Sequence, residues 1–130
     1  MEEIIMVSIT KDLGAITKGQ YMSWFITTQA ANRINVKLYD SVKTYVNSNK
    51  ASIHIDPPLA QGAAFVEGDH LKLEISSSGW NDLKTWHNMS DILTDACTPV
   101  GKSFSLAGED YTDNDYNDVY VSISAWDKAY

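Results

Sequence analysis

The chain has 130 residues, 44% of them hydrophobic and 21% charged, which is enough for one domain with a real core and too little for two of ordinary size. Its net charge of −7, from 17 acidic and 10 basic residues, argues against a general nucleic-acid binder, because phosphate contacts need clustered Lys and Arg. No apolar run approaches the ~20 residues that span a bilayer, and the composition is not that of a disordered chain.

The longest apolar run, Ile4-Ile5-Met6-Val7, is too short for the core of a signal peptide and follows Glu2-Glu3 rather than a basic stretch. The expectation is cytoplasmic synthesis without a signal peptide or membrane anchor, with release or cell-surface display by a non-classical route left open. From there the hydrophobic period is mostly 2 rather than 3.6. Ile5, Val7 and Ile9 alternate with polar or flexible neighbours, and so do Ile34, Val36 and Leu38. Ile53 and Ile55 continue the pattern, followed by Leu71, Leu73 and Ile75, and then by Phe104 and Leu106. The clearest run is the last, with Val119, Val121, Ile123 and Ala125 on one face and Tyr120, Ser122, Ser124 and Trp126 on the other.

Turn residues bound these runs: Lys18-Gly19, Asn47-Ser48-Asn49, Pro57-Pro58, Gly62, Gly68-Asp69 and Ser78-Gly79. The stretch from Trp80 to Cys97 is ambiguous, since Asp91-Ile92-Leu93 suits either a short helical turn after Ser90 or a continuing strand. Short strands at this spacing predict an all-β fold: a single antiparallel β-sandwich of about nine short strands, Greek-key-like, in one domain over residues 1–130. The lone Cys97 cannot form an intrachain disulfide and reads as a small buried hydrophobe, an intermolecular disulfide being the alternative.

The acidity is concentrated. Glu109, Asp110, Asp113, Asp115 and Asp118 fall within ten residues that contain no Lys or Arg, and removing those five from the net charge of −7 leaves an ordinary −2. Carboxylates brought this close repel unless a cation lies between them or they splay into solvent. Oxygen donors at alternating positions suit calcium, which takes six to eight oxygens at ~2.3–2.6 Å. Zinc is disfavoured because the segment has no Cys or His, and magnesium prefers fewer protein ligands. Asp113-x-Asp115-x-Asn117 fits the start of an EF-hand loop, but Asp118 stands where that loop needs Gly, Ser124 where it needs Glu, and a strand follows instead of a helix. The bland reading is a solvated acidic hairpin loop, which gives no reason for Asn114 and Asn117 or for such density.

The segment Glu109-Asp-Tyr-Thr-Asp-Asn-Asp-Tyr-Asn-Asp118, followed by a Val-rich strand and Trp126, resembles the bacterial calcium-mediated fucose- and mannose-binding lectins (LecB-like). Weaker similarity covers most of the chain, including Arg33-Ile-Asn-Val36 and the run from Leu71 to Leu106. The resemblance implies two calcium ions per chain that grip a fucose- or mannose-type sugar directly. By that resemblance Glu109 and Asp113 chelate one ion, Asp115 and Asp118 bridge both, and Asn117 binds the second. Asp110 accepts a hydrogen bond from a sugar hydroxyl, and Asp113, Asp115 and Asp118 also meet the sugar. A backbone carbonyl of an early loop, aligned here on Thr27, completes the metal shell. The positions after it, Thr28, Gln29 and Ala30, set sugar preference, with Gln29 larger than the small residues usual there. The family's C-terminal carboxylate reaches a neighbour's calcium across a dimer interface, a role that falls on Tyr130.

Such sites gain by avidity, so a homodimer or higher homo-oligomer is expected, with the last strand as an edge available for pairing. Neither nucleic acid nor membrane insertion is expected. No catalytic residue is assigned: His54, His70 and His87 are dispersed, no nucleophile motif accompanies them, and the carboxylates sit too close along one segment to flank a glycosidic bond. The four tryptophans read as core or interface residues, with stacking on sugar as the alternative. Asn88-Met89-Ser90 is formally a glycosylation sequon. The competing functional reading is a calcium-stabilised β-sandwich that serves as an interaction module without binding sugar; a glycoside hydrolase is a third.

Overall fold

The computed structural model describes residues 7–79, 83–109 and 116–129. Nine strands run through them: β1 (Val7–Asp12), β2 (Tyr21–Thr28), β3 (Ala30–Tyr39), β4 (Thr44–Ser52), β5 (Ala60–Phe65), β6 (Lys72–Ser77), β7 (Lys84–Leu93), β8 (Pro99–Glu109) and β9 (Val119–Trp126). They form two antiparallel sheets, one in the order β1-β6-β3-β4 and the other β5-β2-β9-β8-β7. This is the expected sandwich, Greek-key-like in that strands far apart in sequence lie side by side, β1 beside β6 and β2 beside β9.

Alternation drives the assembly. Ile34, Val36, Leu38, Leu73 and Ile75 project from the four-stranded sheet and are wholly buried. Met22, Ile26, Leu106 and Val121 meet them from the other sheet. A one-residue slip in any of these strands would turn its apolar set to solvent, so the hydrophobic pattern fixes the register.

Several sequence expectations need correction. Asn47-Ser48-Asn49 is not a turn but the middle of β4, paired with Lys37, Val36 and Asn35. On an edge strand, polar side chains facing water cost nothing, so composition alone misleads there. Gly62 lies within β5, where an added Cβ would sit 2.7 Å from Trp24 Cζ2; the glycine admits an indole rather than a turn. Ile53 and Ile55 are not in a strand. They are 64% and 50% exposed, in the connection where the Lys50 ammonium gathers the carbonyls of His54 (2.6 Å) and Pro57 (2.5 Å). The chain turns there to bring those carbonyls to one ammonium instead of extending as a strand.

Asp91-Ile92-Leu93 finishes β7 as strand. Cys97 is exposed rather than buried, in a tight turn at φ +63° closed by its amide on the Thr94 carbonyl at 2.9 Å. The last strand, β9, is not an edge: it is the central strand of its sheet, flanked by β2 and β8.

The chain order gathers one end of the sandwich. β2 ends and β3 begins there, β4 ends and β5 begins, β6 ends at Ser77, β7 begins at Lys84, and β8 ends at Glu109 opposite the start of β9. The acidic segment therefore emerges where the β2–β3 connection arrives.

Candidate metal and ligand site

Four residues form a row across the sheet at this end: Thr85, Gly108, Val119 and Thr28, each paired with the next. Gly108 is required by close packing, because a Cβ there would lie 2.5 Å from Val119 Cγ1. One step beyond this row stands Glu109, the last residue of β8, which is 0% exposed. Its Oε2 accepts a 3.2 Å hydrogen bond from the backbone amide of Tyr116, which adopts the left-handed conformation at φ +55°. Asp118 is buried immediately before β9, and its carbonyl accepts a 3.1 Å hydrogen bond from the Gln29 amide. Asn117 between them is partly buried.

The structure thus brings together six predicted residues, Thr27, Thr28, Gln29, Glu109, Asn117 and Asp118. Thr27 and Thr28 lie at the end of β2 rather than in a loop, opposite Tyr120 and Val119. Predicted residues Asp110, Asp113, Asp115 and Tyr130, and Trp80, lie outside the described residues. Among the described residues no three of Asp, Glu, His and Cys gather as a metal-ligating group; Glu109 and Asp118 supply two carboxylates.

The donor chemistry fits a hard cation. Glu109 and Asp118 offer carboxylate oxygens and Asn117 an amide oxygen, and the acidic segment holds no Cys or His. Burying two carboxylates at one strand end is unfavourable unless each is hydrogen-bonded, protonated or set against positive charge. Thr28 adds an independent sign. Its Oγ1 is buried with no hydrogen-bond partner among the described residues, a condition that normally costs about 1–3 kcal/mol and that a ligand would relieve.

Two features were not legible in the residue pattern. Tyr116 closes over Glu109 through its backbone, and a tyrosine carries no signal for the left-handed conformation, unlike Asn or Gly. Beside the site, an open hollow of about 360 Å³ is lined by Thr85, Trp86, Ala107 and Tyr116, with Trp86 65% exposed. Trp24 is partly buried and tilted against Tyr45, as a packing tryptophan should be, while Trp126 is exposed and donates from Nε1 to Ser124 Oγ at 3.3 Å. His87 packs near the Phe104 ring, at 6.1 Å between centroids.

No protein-family model matches this chain, and no curated protein matches it either. Solved structures do. The Chromobacterium violaceum lectin CV2L, in complex with alpha-methyl-fucoside, superposes with a TM-score of 0.62 and 14% identity over 88% of this chain and 93% of its own. The Ralstonia solanacearum high-affinity mannose-binding lectin gives 0.66 and 18% identity over 88% and 93%. The C-terminal domain of the BC2L-C lectin from Burkholderia cenocepacia gives 0.65 and 17% identity over 92% and 97%. At these identities the likeness establishes a common fold.

Proposed function

We propose that this chain is a carbohydrate-binding lectin, not an enzyme, and that it takes a fucose- or mannose-type sugar through calcium held at residues 109 to 118. The observation that carries this reading is the wholly buried Glu109 carboxylate beside buried Asp118, at the strand ends of a fold shared with lectins. One of those lectins is a high-affinity mannose binder and another is in complex with a fucoside.

In this reading Glu109, Asn117 and Asp118 present oxygen donors from the β8–β9 side, and Asp113 and Asp115 complete the set as the family resemblance implies. When bound, calcium would supply positive charge that offsets the crowded carboxylates and coordination positions that vicinal sugar hydroxyls can take from water. The chain's own residues do the rest. Tyr116 holds one Glu109 oxygen through its amide and so orients the carboxylate. The Gln29–Asp118 bond fixes the β2–β3 junction against the acidic segment. Thr28 has a hydroxyl without a partner among the described residues, and Gln29 has a side chain at the same junction; these are the groups that would touch the saccharide and select among sugars. Carboxylate ligands accept hydroxyl protons in charge-assisted hydrogen bonds, which are roughly twice as strong as neutral ones.

Glycan-array binding with and without a chelator tests the proposal. Binding to fucosides or mannosides that disappears with chelator supports it. A calcium-dependent rise in melting temperature with no glycan bound would favour an interaction module instead. Turnover of an aryl glycoside would show an enzyme.

A further inference from the structure

Strand β2 lies between β9 and β5, so the β2–β3 junction at residues 27–29 has a neighbour on each side. On the β9 side it meets the acidic segment through the Gln29–Asp118 bond. On the β5 side it meets the β4–β5 connection, residues 53–59, and both ends of that connection are pinned to the strands that flank the junction. Ser52, just before it, pairs with Ala30 at the start of β3. Leu59, its last residue, donates its amide to the Ile26 carbonyl of β2 at 2.9 Å, and Ala60 pairs with Ile26. The connection therefore crosses from the four-stranded to the five-stranded sheet alongside Thr27, Thr28 and Gln29.

Its main chain has little left to offer a hydroxyl. The Lys50 ammonium donates to the carbonyls of His54 (2.6 Å), Ile55 (3.4 Å) and Pro57 (2.5 Å), and the His54 amide donates to Ser52 Oγ at 3.1 Å. Pro57 and Pro58 have no N–H to give. Most main-chain groups of residues 54–58 are thus absent or engaged within the connection itself. One ammonium bonded to three carbonyls also holds the connection in one shape. What it shows to solvent is aliphatic: Ile53 and Ile55, both exposed, stand within three residues of each other. A surface built this way gains free energy by covering apolar groups rather than by pairing with polar ones.

We infer that Ile53 and Ile55 are specificity residues of the carbohydrate site and take an aliphatic aglycone carried by the bound sugar. The ligand class is then a neutral glycoside with an alkyl aglycone, as in a glycolipid, rather than a free monosaccharide. This inference rests on the lectin reading. A sugar held at Glu109, Asn117 and Asp118 and touching Thr28 and Gln29 has already reached the junction, and what it carries beyond the junction meets residues 53–59. A second sugar ring would need hydrogen-bond partners there, and the connection keeps most of its own engaged. An aliphatic chain needs none.

Charge and entropy point the same way. The exposed Asp56 carboxylate, on a chain of net charge −7, disfavours an anionic glycoconjugate. Isoleucine is branched at Cβ and has few χ1 rotamers to lose, so ordering these two side chains against a ligand costs little. Each methylene taken from water is worth roughly four-fold in affinity. A hexyl chain that covers two or three methylenes on this shelf should therefore gain roughly ten-fold over a methyl group after the cost of ordering it.

Isothermal titration in calcium with the methyl and hexyl α-glycosides of fucose and of mannose tests it. The wild type should bind the hexyl glycoside roughly ten-fold more tightly than the methyl glycoside of the same sugar. Ile53→Ser combined with Ile55→Ser should cut that ratio to about two-fold or less, while Val42→Ser, at an exposed position on the opposite end of the sandwich, should keep it. Nuclear Overhauser contacts from the isoleucine methyls to the bound hexyl chain read the same contact in the wild type without a variant. A hexyl glycoside no tighter than the methyl one, a ratio that survives the double variant, or a hexyl chain in contact only with other residues would overturn this inference and leave the lectin reading standing. A disaccharide that gains as much as the hexyl chain and loses it in the double variant would put a second sugar on the shelf and overturn it as well. No binding of either methyl glycoside by the calcium-loaded wild type would overturn both.

Discussion

The backbone amide of Gln29 and the carbonyl of Asp118 are joined by a 3.1 Å hydrogen bond across 89 positions of sequence, tying the β2–β3 junction to the acidic segment. That bond couples the residues proposed to select the sugar to those proposed to hold the metal. Gln29→Pro removes the donor and should weaken calcium and sugar binding together, by the few-fold that a lost hydrogen bond of about 0.5–1.5 kcal/mol implies. Gln29→Ala keeps the donor and should leave calcium affinity unchanged while altering the fucose-to-mannose ratio. Calorimetric titration of both variants separates the two effects.

Thr28 gives a prediction whose sign depends on loading. Its buried hydroxyl lacks a partner among the described residues, so Thr28→Val should leave the metal-free protein as stable as wild type or more so. With calcium and sugar present, the same variant should gain less melting temperature than wild type. Thermal denaturation in chelator and in calcium with saccharide checks both halves.

The opposite end of the sandwich holds two groups of shifted acidity, Asp40 and Tyr45. Burial opposes ionisation of Asp40, but hydrogen bonds from the Tyr45 hydroxyl and the amides of Val42, Lys43 and Gly68 outweigh it, so the carboxyl lies below its ordinary 3.8. A depressed folded value means that this stabilisation is full above pH 3.8 and lost as pH falls through the folded value. Tyr45 behaves in reverse. Burial and the Asp40 hydrogen bond raise it from 10.0 to about 12, so its contribution is complete below pH 10 and lost on approach to pH 12. Asp40→Asn should flatten the acid limb of a melting-temperature profile, and Tyr45→Phe the alkaline limb.

Close packing beneath the site is testable through Gly108. A methyl added there meets Val119 Cγ1 at 2.5 Å, so Gly108→Ala should destabilise the fold by about 1–3 kcal/mol, read by urea denaturation. Leu73→Ala, in the wholly buried core away from the site, should cost about 2–5 kcal/mol and leave calcium affinity per folded molecule unchanged.

The strands with one wet and one dry face were legible in the sequence. Leu71, Leu73 and Ile75, like Val119 to Ala125, alternate cleanly because their outward partners are polar. β2 escaped notice because its outward Tyr21 and Phe25 are as apolar in sequence as its inward Met22 and Ile26, which erases the period. The acidic segment was legible because charge density at one place demands a local cause. The junction that meets it was not, since only long-range pairing brings Thr28 and Gln29 beside Val119 and Asp118.

The most direct test of the central claim is isothermal titration of the wild type and Glu109→Gln with fucose and with mannose, in calcium and again after chelation. Saturable heat in calcium that vanishes with chelator, returns on adding excess calcium, and is lost or strongly weakened in Glu109→Gln is the predicted result. Sugar binding of equal strength with and without calcium, or no binding of either sugar by calcium-loaded wild type, would contradict the account.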